Sequence, residues 1–234
     1  MKIYCKNIGI VAIYFICLVL PFISTAQKNA YAAIETKYGT IIVQLSNLTP
    51  KHRDNFIQKV KERFFDTTLF HRVVPNFVIQ GGDPDSLFTT PKDTALLKAQ
   101  RLMPEYHDAL FHKRGAFGMG RDDNPLEANF FTQIYIVQGR KWTDAEMDAL
   151  EKRVGKEYTI PESKRAIYRT IGGQPRLDGD YTIFGEVVQG MEVVDVIANV
   201  KAFKELPIEP VRMKIRMLRK RSARKLERTA RLTT

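Results

Sequence analysis

Leu69-Phe70-His71-Arg72-Val73-Val74-Pro75-Asn76-Phe77-Val78-Ile79-Gln80-Gly81-Gly82-Asp83 is the stretch on which the fold turns. It reads as two apolar strands, Leu69–Val74 and Phe77–Gln80, separated by a short turn and ended by Gly81-Gly82-Asp83. Branched and aromatic residues bounded by Pro, Asn and Gly are the composition of strands and their turns.

Upstream, Ala33–Thr36 and Thr40–Leu45 read as a hairpin around Lys37-Tyr38-Gly39. Thr49-Pro50 opens a helix: Thr49 can cap free N–H groups, and Pro50 suits the first turn. Phe56, Ile57 and Val60 recur at helical spacing, carrying that helix through Arg63. Residues 84–112 are mixed and give no clear order. Downstream, Ala116–Gly120, Thr132–Val137, Thr182–Val188 and Val211–Met217 read as strands. The last alternates Val211, Met213, Ile215 and Met217 with Arg212, Lys214 and Arg216, one buried face and one wet face. A second body helix, Met191–Val200, follows Gly190. Residues 140–175 differ in character. Thr143-Asp144-Ala145-Glu146 is a capping-box signature with Gly155 as its stop, and Thr159-Ile160-Pro161-Glu162 repeats it before Gly172-Gly173. That segment is predicted to be a helical hairpin inserted between strands. Many short strands with two body helices suggest a closed antiparallel barrel, which could serve lipid, sugar or peptide.

The chain of 234 residues suits one domain with an insertion, and 44% apolar residues suffice for a core. Lys2 and Lys6 precede an apolar run from Ile8 to Ile23, and Ser24-Thr25-Ala26 follows with small residues. This predicts a secretory signal peptide cut after Ala26, and a periplasmic or secreted protein. An uncleaved membrane anchor is the rival, although a span needs about 20 apolar residues. Both cysteines, Cys5 and Cys17, lie in the leader, so the mature chain is expected to use neither disulfides nor thiolate chemistry. Of the net +11, the leader carries +2 and residues 211–234 carry +9, which leaves residues 27–210 neutral. The basic character therefore belongs to that C-terminal stretch, which ends in the tail 219–234, and not to the domain, and it gives no ground to expect a nucleic-acid enzyme. The tail reads as a solvated, frayed terminus, or as a basic amphipathic helix able to meet anionic lipid, an acidic client or nucleic acid.

The opening stretch resembles the signature of cyclophilin-type peptidyl-prolyl cis-trans isomerases: Phe-His-Arg-Val, a short turn, then Phe-Met-Ile-Gln-Gly-Gly-Asp, with Val78 in place of the usual Met. Other segments are similar in order. These are Thr49-Pro50 to Asn55-Phe56, Phe111 to Ala116, Gln133-Ile134-Tyr135-Ile136-Val137, and Leu177-Asp178-Gly179 with Tyr181 to Gly185. The resemblance runs from about Ile34 to Met217 and sets 140–175 apart as an insertion like that of some bacterial exported members. It implies a mainly β fold, a closed eight-stranded antiparallel barrel with two body helices and the helical insertion. It also implies domain limits of 27–218 between leader and tail.

The implied chemistry is rotation about X-Pro bonds. The barrier, on the order of 18–20 kcal/mol, comes from C–N double-bond character, and uncatalysed exchange takes tens to hundreds of seconds, as an order of magnitude. No bond breaks, so no nucleophile, metal or cofactor is needed. A fixed cation can assist by donating to the prolyl nitrogen as it becomes pyramidal. By resemblance, Arg72 is that cation. Phe77, Val78, Tyr135 and Leu177 would line the proline pocket, Gln80 and Gln133 would orient Arg72 and the substrate carbonyls, and Tyr181 would contact substrate. Taken singly, a strand arginine is an outward charge and these apolar residues are barrel core; His71 reads as structural. His107 and His112 near Glu105 lack a third well-spaced metal ligand. The implied partners are proline-containing peptides and folding proteins, bound by a monomer. Departures from the family pattern fall on Asn129-Phe130-Phe131-Thr132, where small residues are usual, on Ile134, on Arg176, and on 86–103, where a glycine-rich loop is usual. Phe130 and Phe131 are therefore expected to narrow or cover the groove. If they suppress turnover, the chain is instead a peptide-binding or chaperone module.

Overall fold

The computed structural model describes residues 29–82, 100–155 and 157–232; the leader, Asp83 and Leu96-Leu97-Lys98 lie outside them. The strands in chain order are β1 (Ala30–Thr36), β2 (Gly39–Leu45), β3 (Leu69–Val73), β4 (Val78–Gly81), β5 (Arg101–Leu102), β6 (Ala116–Met119), β7 (Asn129–Phe130), β8 (Ile134–Val137), β9 (Ile183–Gln189), β10 (Ala202–Phe203), β11 (Leu206–Pro207), β12 (Val211–Arg212) and β13 (Lys214–Met217). The principal sheet is antiparallel and runs β12-β3-β4-β8-β6-β9-β2-β1-β13.

Its two ends are one piece of chain. Val211 pairs with Phe70 of β3, and Ile215 pairs with Ile34 of β1. The predicted strand Val211–Met217 thus bends at Met213 and bridges both edges. Counted as one strand, it makes eight around a nearly closed barrel, and closure leaves no edge open to stray pairing. The interior holds Ile34, Ile41, Val43, Leu45, Ile79, Ile134, Ile136 and Ile215 around an aromatic cluster of Phe56, Phe65, Phe117 and Phe184. Phe117 and Phe184 ring centroids lie 4.5 Å apart, and Phe56 meets Phe117 edge-on at 5.3 Å. Each such ring contributes roughly 1.5–3 kcal/mol by leaving water.

Helix α1 (Pro50–Lys61) covers one end of the barrel with Phe56 and Val60. Its cap departs from the sequence expectation. Thr49 makes no capping bond; its Oγ1 donates to the Ile183 carbonyl at 3.3 Å. The free N–H groups of Lys51 and His52 donate instead to the Glu105 carboxylate, at 3.2 and 3.0 Å. A charged acceptor complements the positive helix end better than a hydroxyl does.

The insertion forms two helices, α2 (Asp144–Val154) and α3 (Glu162–Thr170). Thr143 and Glu146 close the predicted capping box around α2. The second box does not form. Pro161 is the N-cap, and Glu151 of α2 takes the Ile160 N–H at 2.6 Å. Met147, Leu150, Ile160 and Tyr168 give the insertion its own small core. Helix α4 (Met191–Ala198) packs Val194 and Ile197 on the barrel. The tail is helical rather than frayed: α5 (Lys220–Leu232) starts beside β1, where Leu218 N–H donates to the Tyr31 carbonyl at 2.8 Å. Among the described residues no helix is long and apolar enough to cross a membrane.

Candidate active site

Alternation along β3 should send Phe70 and Arg72 to one face. They part because the register shifts between them: Phe70 pairs with Gly81 and Arg72 with Gln80. His71 is the extra residue of a β-bulge, which turns the following side chain over. Phe70 and Val73 both enter the barrel core, while Arg72 emerges on the outer face beside Gln80.

That outer face is itself covered, which explains why β4 and β8 read as unbroken apolar runs. Ile79, Ile134 and Ile136 point inward. Val78, Tyr135 and Val137 point outward and form a second apolar cluster with Phe77 and Tyr181. Between them lies a cavity of about 250 Å³ lined by Arg72, Phe77, Val78, Gln80, Gly120, Arg121, Tyr135, Leu177 and Tyr181. Seven of these nine were singled out in the sequence. Gln133 is not on the wall. It stands behind Gln80, accepting its Nε2–H at 2.9 Å.

The pocket floor depends on a glycine that no quoted motif marks. Tyr135 faces Gly118 across the β8–β6 pair, and a Cβ on Gly118 would lie 2.2 Å from the Tyr135 ring. The ring can lie flat only over a bare backbone. Its hydroxyl meets Nε2 of buried His112 at 2.8 Å, and His112 Nδ1 meets Asp178 at 2.9 Å. Burial, reinforced by the charge on Asp178, pushes the Tyr135 phenol well above its ordinary value. The floor is thus an uncharged, fixed aromatic surface. Tyr181 stands perpendicular to Tyr135, with ring centroids 6.2 Å apart.

Two arginines border the cavity. Arg121 lies over the Tyr181 ring at 4.7 Å and donates through Nε to the Asp180 carbonyl at 2.8 Å. Arg72 lies 5.5 Å from the Phe77 ring centroid, and its Nε donates to the Glu205 carboxylate at 2.6 Å. The expected orientation of Arg72 by Gln80 is not made as a bond: among the described residues the Arg72 Nε–H goes to Glu205, and the Gln80 Nε2–H goes to Gln133. Arg121 and Glu205 were both missed from sequence. Neither belongs to a quoted motif, and only the fold brings residue 205 to residue 72.

The expected cover over the groove is absent from the cavity wall. Phe130 sits in β7, paired with β5, with the Arg101 guanidinium 3.9 Å above its ring. Asn55 of α1 holds the Phe131 carbonyl at 2.7 Å, and Asn129 is buried against His52. Neither phenylalanine lines the pocket.

Residues 31–217 match the family model described as cyclophilin type peptidyl-prolyl cis-trans isomerase. The chain belongs to the cyclophilin family. A peptidyl-prolyl cis-trans isomerase of Acinetobacter baylyi is 31% identical over 195 residues, 80% of this cyclophilin and 85% of that protein. A Streptococcus pyogenes protein named for both a phosphatase and a peptidyl-prolyl cis-trans isomerase is 32% identical over 171 residues. This cyclophilin covers 34% of that longer protein. The solved structure of a Cryptosporidium parvum cyclophilin has a TM-score of 0.59 at 21% identity, covering 82% of this chain and 99% of that one. The same protein solved in the presence of the dipeptide Ala-Pro gives 0.57.

The insertion of this cyclophilin braces the wall that carries Leu177. Trp142 Nε1 donates to the Gly173 carbonyl at 3.0 Å, Tyr158 OH donates to the Pro175 carbonyl, and Tyr168 OH donates to Asp178 at 2.7 Å. Pro175–Leu177 is a short 3-10 turn, and its Leu177 reaches the cavity.

Proposed function

We propose that this cyclophilin is exported and speeds X-Pro rotation in proteins folding in the periplasm or outside the cell. Arg72 is the donor to the prolyl nitrogen. The observation that carries this reading is the position of Arg72, turned by a bulge onto the rim of a small aromatic and apolar pocket. A proline ring needs a dry, rigid, uncharged slot, and Phe77, Val78, Tyr135 and Leu177 offer one. The guanidinium at its edge can stabilise the nitrogen lone pair that appears as amide conjugation is lost. Substrates are proline-containing peptides and unfolded chains, and the working unit is a monomer. The leader sequence supports export with cleavage after Ala26, and α5 supports contact with anionic membrane through its basic face.

The rival, a binding module with suppressed turnover, needs Phe130 and Phe131 over the groove, and neither is among the residues that line the pocket. The test is exchange NMR or a protease-coupled assay on an X-Pro peptide, comparing the mature protein with Arg72→Ala. Catalysis that is largely lost in the variant is expected. A folded wild type that does not accelerate exchange would overturn the reading. Export is checked by mass spectrometry of the secreted or periplasmic protein, whose expected first residue is Gln27.

A further inference from the structure

Arg72 is a long side chain on the outer face of β3, and its own side chain is 34% exposed. A guanidinium so placed samples many rotamers unless something grips it, and a preorganised donor must be gripped. In the family signature the candidate is Gln80, but among the described residues no bond joins Gln80 to Arg72. Among the described residues the carboxylate bonded to Arg72 is that of Glu205, at 2.6 Å.

Glu205 is delivered by a dedicated piece of backbone. β10 and β11 form a hairpin whose tip is Lys204-Glu205. Both tip residues have positive φ, 47° and 68°, the mirror-image geometry of two-residue hairpin turns, although neither is Gly, Asn or Asp. Left-handed backbone at such residues is costly and persists when the surroundings hold it. What holds it is β3: the Val73 N–H donates to the Glu205 carbonyl at 2.8 Å. The hairpin tip therefore grips consecutive residues of β3, Arg72 by its carboxylate and Val73 by its backbone. The carboxylate takes the Nε–H and leaves the Nη donors of Arg72 to other acceptors.

We infer that Glu205 is the positioning residue of Arg72: it fixes the guanidinium through Nε so that the Nη donors meet the prolyl nitrogen. The inference rests on the role of Arg72 proposed above. In Glu205→Ala the guanidinium swings free, and misplacement of the reacting donor should lower kcat/KM for an X-Pro peptide about tenfold. KM should change little, because the pocket is untouched. Glu205→Asp should recover part of the loss.

The experiment measures isomerisation by wild type, Glu205→Ala and Glu205→Asp, together with the ¹⁵N resonance of the Arg72 Nε–H. Supporting results are the activity loss, its partial rescue by Asp, and an Nε–H signal that broadens or exchanges faster in Glu205→Ala. An alanine variant as active as wild type, or more active, overturns the inference. So does lost activity with an unchanged Nε–H signal. A wild type without activity sinks the isomerase reading instead, while the Nε–H comparison still reports whether Glu205 holds Arg72. Should the alanine variant fail to fold, Glu205→Gln keeps the hairpin polar and is judged by the same two readouts.

Discussion

Arg72 reaches solvent only because one extra residue precedes it, and that fixes what its substitution should do. Its side chain is not in the core, so Arg72→Ala should leave the melting temperature nearly unchanged. Loss of a preorganised donor should lower kcat/KM by about 10²–10³. Peptide exchange spectroscopy with a parallel thermal melt checks both halves. Gly118 makes the opposite case. Gly118→Ala places a methyl 2.2 Å from the Tyr135 ring. The ring must tilt, at a cost of about 1–3 kcal/mol for overpacking, and the proline slot changes shape. A lower melting temperature together with a raised KM is expected. At this scale the sequence was legible wherever residues sit inside one motif: Arg72, Phe77, Val78 and Gln80 lie within nine positions and share one cavity. It was silent on Glu205 and Gly118, whose roles depend on partners 133 and 17 residues away.

Among the elements, those whose stability is local were read well, and those completed by a distant group were not. The hairpin of β1 and β2 and the capping box of α2 follow from alternation, spacing and caps within a few residues, whereas α3 forms without its predicted box. The N-terminus of α1 does not follow from nearby residues, because Glu105 supplies its cap from within 84–112, the segment that sequence could not order. That cap is open to titration. Burial pushes Glu105 up, but bonds from the His52 ring and from the N–H groups of His52 and Lys51 outweigh it and hold the carboxyl below its ordinary 4.5. A carboxyl lowered on folding adds stability above its unfolded value and loses it as pH falls through the folded value. Wild type should therefore lose stability as pH falls below about 4.5. Glu105→Gln should be less stable at pH 7 and should show a shallower acid loss. Denaturant melts from pH 7 to 3 measure both slopes. The insertion makes a companion case. Tyr168→Phe strips one donor from the partly buried Asp178, which should cost about 1–3 kcal/mol and loosen Leu177, visible as faster amide exchange across 174–178.

For the whole molecule, the useful division is between a barrel of residues 27–217 with a net charge of only +3 and a basic appendage, 219–234, with +6. The ring of strands is complete at Met217, and the candidate site lies on β3, β4 and β8, so nothing in α5 completes the pocket. The appendage is nonetheless ordered against the barrel: Leu218 bonds to Tyr31, and the Tyr31 hydroxyl meets Glu227, the lone acid of the tail, at 3.4 Å. That contact turns Glu227 toward the barrel, while Arg219, Lys220, Arg221, Arg224, Lys225 and Arg228 stay exposed. Each cation near an anionic surface is worth about 1 kcal/mol and is screened by salt. Deleting 219–234 should therefore leave peptide isomerisation within about twofold, since no catalytic term is removed. It should abolish salt-sensitive binding to vesicles containing anionic lipid. Co-sedimentation at low and physiological salt, run beside the exchange assay, separates the two. Equal vesicle binding with and without the tail would show that α5 is only a solvated helix, and a loss of isomerisation on deletion would show that the barrel needs the helix that Tyr31 holds.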